Sequence, residues 1–94
     1  MGSFGFKKNK SVTYKLVRNN KAVYIGTTNN PVLRNQQHAQ SGKKYDQMVI
    51  TSPKLPRQEA ERRETRNIKS YRAATGRNPG YNKTSDGKFK HRYR

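Results

Sequence analysis

Apolar and polar positions alternate from Ser11 to Arg18. Val12, Tyr14 and Leu16 fall on one side and Thr13, Lys15 and Val17 on the other, the period of a half-buried strand. Asn19-Asn20 follows, two residues that tolerate the positive φ of a tight hairpin loop, and Lys21 to Gly26 reads as the returning strand. Such a hairpin brings Tyr14 near Tyr24. Beyond a polar loop, Asn30 as N-cap and Pro31 at the first helical position open a helix that ends near Ser41-Gly42, where glycine supplies a left-handed cap. Val32, Leu33 and Ala39 are its only apolar residues, so it should pack weakly. Met48 to Thr51 is a short β-prone run, stopped by Ser52-Pro53, and predicts a third strand. A longer helix is expected from Pro56 to Ala74, capped by Gly76, and Arg77 to Gly87 reads as turns. On that helix Ala60, Glu64, Ile68 and Tyr71 share one stripe, while Arg62, Arg66 and Lys69 occupy a different face. Glu59 can pair with Arg63, and Arg57 with Glu61, at i,i+4 spacing.

Composition limits what these elements can build. With 94 residues of which 29% are hydrophobic, one small domain with a thin core is expected, and its termini should lie loose. Residues 1–10 read as a flexible basic arm whose Phe4 and Phe6 dock on the core or stack on bases, docking being favoured. Residues 11–87 form the folded domain, and 88–94 (KFKHRYR) form a basic tail interleaved with aromatics. Twenty-two Lys plus Arg against five Asp plus Glu leave a net charge of +17, which implies a polyanionic partner, nucleic acid being the commonest. Lys88, Lys90, Arg92 and Arg94 are then candidate phosphate contacts, with base stacking by Phe89 or Tyr93 left open. A membrane is disfavoured: no run is long enough to span a bilayer, and no helix pairs a broad apolar face with a basic one. The absence of cysteine removes disulfides and thiolate zinc sites. No apolar signal segment occupies Met1 to Lys10, and Phe6 stands where a myristoylation motif wants Ser or Thr, so a cytoplasmic protein is expected.

A few side chains could carry chemistry. Glu64 has Ala60 and Ile68 at its i±4 offsets and points with the apolar stripe, where a carboxylate costs free energy unless something charged meets it. By spacing alone a salt bridge to an arginine is slightly favoured. The alternative is a metal ligand, and a lone carboxylate suits Mg²⁺, which keeps most of its waters. Arg34 and His38 are four apart and share a helix face. Surface arginines usually contact solvent or phosphate and a lone helical histidine is usually structural, yet together the two could stabilise phosphorane charge and handle a proton. Tyr14 and Tyr24 are by default packed sheet residues, and Asn82 in Gly80-Tyr81-Asn82 a turn residue. The acids Asp46, Glu59, Glu61, Glu64 and Asp86 are scattered, which makes a two-metal site hard to build.

Taken in order, Tyr14, then Val23-Tyr24-Ile25-Gly26, then Arg34 and His38, then Glu64 with Ile68, then Tyr81-Asn82, the set resembles the GIY-YIG nuclease family from Val12 to Asn82. The YIG is intact, and an Arg-x-x-x-His pair begins ten residues beyond Tyr24. The first motif keeps only its tyrosine (Val12-Thr13-Tyr14), and nine residues separate His38 from Met48, where many members insert another helix. The resemblance implies an α+β fold with a small three-stranded antiparallel sheet flanked by helices. It also implies roles: Tyr14 activates the attacking water with Tyr24 as its partner, Arg34 binds the scissile phosphate, and His38 assists proton transfer. Glu64 holds a single Mg²⁺ (or Mn²⁺), and Asn82 braces the site. The expected function is a metal-dependent DNA endonuclease that hydrolyses phosphodiester bonds, one strand per active site. A nicking or homing type associated with phage or mobile elements is favoured, acting as a monomer or a transient dimer on DNA. A structure-specific repair or restriction endonuclease of the same family is the runner-up. The rival from another class is a non-catalytic basic nucleic-acid-binding module.

Overall fold

The computed structural model describes residues 10–82. The basic arm at 1–9, residues 83–87, and the tail with Lys88, Lys90, Arg92 and Arg94 lie outside the described residues. Five elements follow in order: β1 (Val12–Arg18), β2 (Lys21–Thr28), α1 (Pro31–Gln40), β3 (Gln47–Ile50) and α2 (Arg57–Thr75). The three strands form one antiparallel sheet in the order β2-β1-β3, giving the small α+β fold that the sequence implied. Because β1 is central it has neighbours on both edges and both faces, and Thr13, Tyr14 and Leu16 are fully buried.

The hairpin holds a detail that decides where the tyrosines point. Asn19 and Asn20 adopt φ of 54° and 65°, as the two-residue turn requires. Beside the turn, Arg18 faces Lys21 and Val17 faces Ala22. Continued unchanged, that register would set Leu16 against Val23 and Tyr14 against Ile25, leaving Tyr24 on the opposite face from Tyr14. A bulge between Leu16 and Val17 absorbs one extra residue on β2, so Leu16 instead faces Tyr24 and Tyr14 faces Gly26. The bulge therefore turns both tyrosines to the same side. β2 also runs two residues past the expected Gly26, because Thr27 and Thr28 go on pairing with Thr13 and Val12.

Tyr14, Leu16 and Tyr24 form a buried cluster on that side, with Val23, Tyr45, Met48 and Tyr81 packed against it. α1 begins as expected: the Asn30 side-chain oxygen accepts from the Leu33 N–H at 3.1 Å, and Pro31 follows the cap. Gly42, at φ +90°, turns the chain after the helix. α1 buries a single residue, His38, and leaves Val32 and Leu33 exposed. His38 is thus the residue through which this helix is buried in the domain. α2 starts behind Pro56, ends at the left-handed Gly76, and buries Ala60, Glu64 and Ile68, with Tyr71 half-buried. The expected Arg57–Glu61 pair forms at 3.0 Å. Glu59 and Arg63 do not come within ion-pair distance, a correction in keeping with the small free energy that holds exposed i,i+4 pairs together. β3 is displaced by one residue from the expected 48–51, since Gln47 pairs with Val17.

Candidate active site

Four of the residues singled out in the sequence gather over the β1–β2 face. Tyr14 Oη and His38 Nε2 are 2.7 Å apart in a buried hydrogen bond. The rings of Tyr14 and Tyr24 lie 6.1 Å apart, those of Tyr14 and His38 5.7 Å, and those of Tyr24 and His38 4.9 Å. Gly26 makes this closeness possible. A Cβ at that position would stand 2.5 Å from Tyr14 Oη and 2.8 Å from Tyr24 Cε2. The glycine is needed here for space, as both phenols lie where a side chain would be. Arg34, half-buried one turn before His38, donates from Nη1 to the Thr27 carbonyl at a long 3.5 Å and from Nε to Gln37 Oε1 at 3.2 Å.

Burial sets the protonation states. Desolvation pushes the Tyr14 hydroxyl far above the ordinary phenol range, and the neighbouring Tyr24 adds to this; Arg34, as a charge and as a donor, pulls the other way. Tyr24 is raised as well, first by burial and then by the negative charge of Glu64. His38 is lowered to about 4, first by desolvation and then by the positive charges of Lys43 and Arg34. At neutral pH the contact therefore joins a neutral phenol to a neutral imidazole, a pair able to pass a proton in either direction.

Glu64 reaches the site from α2. It is 2% exposed, its Oε1 accepts from the Thr27 hydroxyl at 2.6 Å, and its charge is felt at both tyrosines. Thr27 thus touches two of the charged groups at once, Glu64 through its side chain and Arg34 through its carbonyl. Among the described residues no three His, Cys, Asp or Glu gather as a metal cluster, so the available donor set is a single carboxylate. Asn82 acts on the backbone of β2. Its Oδ1 accepts from the Ile25 N–H at 2.9 Å and its Nδ2 donates to the Ile25 carbonyl at 3.0 Å, which fixes β2 between Tyr24 and Gly26.

Sequence reasoning missed Thr27 and Lys43. A threonine in a β-branched run reads as strand, and only the packing of α2 shows what its hydroxyl meets. Lys43, on the loop after α1, has its ammonium 5.5 Å from the Tyr24 ring centroid and 5.8 Å from that of Tyr81. It looked like one cation among many. The loop that carries it is pinned from two sides: Tyr45 donates to Asn35 Oδ1 at 2.6 Å, and the Lys44 N–H donates to Tyr81 Oη at 2.9 Å.

The site thus joins a buried tyrosine–histidine pair to an arginine and a carboxylate on a three-stranded antiparallel α+β scaffold. The profile of the GIY-YIG catalytic domain matches residues 10–82, and the chain belongs to that family. Its domain is a nuclease domain, which implies a DNA substrate, and nucleases of the family are generally dependent on divalent metal. No characterised protein and no solved structure matches the chain. Among the described residues no helix is long and apolar enough to cross a membrane.

Proposed function

We propose that the protein is a Mg²⁺-dependent DNA endonuclease of the nicking or homing type, with Tyr14, Tyr24, Arg34, His38 and Glu64 as its catalytic set and Asn82 as a brace. The observation that carries this reading is the 2.7 Å contact between Tyr14 Oη and His38 Nε2, buried between an arginine and a carboxylate. Tyr14 takes a proton from the attacking water as its own proton passes to His38 Nε2, so neither a free phenolate nor a free hydroxide forms in a buried site. The new bond joins the water oxygen to phosphorus, and the bond from phosphorus to the leaving sugar oxygen breaks. Arg34 carries the negative charge that builds on the phosphoryl oxygens. Tyr24 packs against His38 and sets the position of its ring.

Glu64 would hold the metal. A single carboxylate with one oxygen already fixed by a hydroxyl fits a hard cation that retains several waters. Bound there, the cation supplies Lewis-acid stabilisation of the phosphate. Arg34 and the tail residues Lys88, Lys90, Arg92 and Arg94 supply phosphate contacts. With one such site per chain, each encounter cuts one strand.

Supercoiled plasmid incubated with the protein and Mg²⁺, Mn²⁺ or EDTA tests the reading. Nicked circles are expected with either metal and not with EDTA, and Glu64→Gln and Tyr14→Phe should lose at least about 10²-fold in rate. Equal nicking by Glu64→Gln would refute the metal-ligand role. If no condition yields nicks while the plasmid is still bound, the protein is a basic binding module.

A further inference from the structure

The outer face of α2 takes no part in the site just described. Arg62, Arg66 and Lys69 are all exposed there, on the side of the helix turned away from buried Ala60, Glu64 and Ile68. With Thr65, Ser70 and Ala73 they line a shallow groove of about 560 Å³. Arg62 and Arg66 are an i,i+4 pair of like charges, and Arg66 and Lys69 an i,i+3 pair, each of which weakens a helix. None of the three forms an ion pair among the described residues. Of the glutamates on this helix, Glu59 stands an i,i+3 step before Arg62 at the end of the row, while Glu61 and Glu64 lie on other faces and no carboxylate stands among the three cations. A helix that stacks three cations over about 10 Å of its axis, with two hydroxyls beside them, matches a polymer with regularly spaced negative charge.

We propose that this face is a second nucleic-acid surface, which grips the phosphate backbone of duplex DNA on the opposite side of α2 from Glu64. Its partner is the backbone and not a lipid surface, because Ala73 is the sole apolar residue in the groove and offers nothing to insert among acyl chains. The inference rests on the charge and the groove; the nuclease reading supplies only the choice of DNA as the polyanion. One chain then holds DNA at two places, one at the site and one behind it. It can bridge two segments of a supercoiled molecule or keep hold of one during repeated encounters.

The test measures binding in EDTA, so it stands or falls apart from cleavage. A fluorescent DNA duplex of arbitrary sequence is titrated with the full chain and with the triple variant Arg62→Gln/Arg66→Gln/Lys69→Gln across a salt series. The slope of log affinity against log salt should become shallower by about 2 to 3 in the variant, and the Arg62→Lys/Arg66→Lys variant should keep the parental slope. On the unaltered chain, duplex should protect Lys69 from acetylation at low salt and release it at high salt. An unchanged slope in the triple variant, or Lys69 acetylated equally with and without duplex, would overturn the proposal. So would a triple variant that loses sedimentation with phosphatidylserine vesicles while keeping its DNA affinity.

Discussion

Thr27 shows how much one hydroxyl can control. By donating to Glu64 Oε1 at 2.6 Å it fixes the carboxylate's rotation and leaves the other oxygen's direction determined. Thr27→Val keeps the shape and removes that donor, so nicking should need about 10- to 100-fold more Mg²⁺, with Thr27→Ser restoring the parental requirement. Calorimetric titration with Mn²⁺ reads the same shift without turnover. Gly26→Ala should be costly for a different reason. Its new methyl would collide with Tyr14 Oη and Cζ and with Tyr24 Cε2, so both phenols must move. A loss of about 1–3 kcal/mol in urea denaturation is expected, together with loss of nicking. His38 gives the pH dependence. Its folded pKa of about 4 lies below the unfolded value near 6.5, so between those values the unfolded chain binds a proton that the folded chain refuses. Stability from this group is complete above pH 6.5 and falls as pH drops towards 4. Urea midpoints measured at pH 7, 5.5 and 4.5 should decline in the parent and decline less in His38→Gln.

At the scale of the element, the hairpin separates what local patterning can convey from what it cannot. Alternation along β1, the Asn19-Asn20 turn, the Asn30 cap and the glycines after both helices are all local signals, and each one sits where its residues place it. The shared side of Tyr14 and Tyr24 is not local. A two-residue turn followed by plain pairing would separate them, and only the extra residue at the bulge reunites them. Nothing in the identity of Val23 announces a bulge. The same limit hid the reach of Asn82 across 57 positions to Ile25 and the meeting of Thr27 with α2, both of which depend on tertiary docking. Deleting Val23 should remove the bulge and restore regular pairing while keeping Leu16 against Tyr24 and Tyr14 against Gly26, so that both tyrosines stay on one side. The variant is expected to keep its far-ultraviolet dichroism, its nicking and a His38 pKa held low in NMR titration; a His38 pKa that rises towards 6.5 would show that the register has slipped instead.

At the scale of the whole molecule, the charge and the thin core favour different things. Self-repulsion at +17 opposes compaction, so anions that condense on the surface should stabilise the fold. One buried cluster that resists this is built largely from the same tyrosines that make up the site, so packing and chemistry share side chains there. The sheet also has two margins, and the one formed by β2 is closed by residues near the end of the described chain. The Tyr81 N–H donates to the Val23 carbonyl at 2.7 Å, and the Asn82 amide occupies both backbone groups of Ile25. Proteolytic clipping ahead of Tyr81 would strip that cover and leave a bare row of donors and acceptors, the template on which a strand from another molecule can add. Clipped protein should therefore self-associate as its concentration rises, giving earlier elution on a sizing column, while intact protein at the same concentration does not.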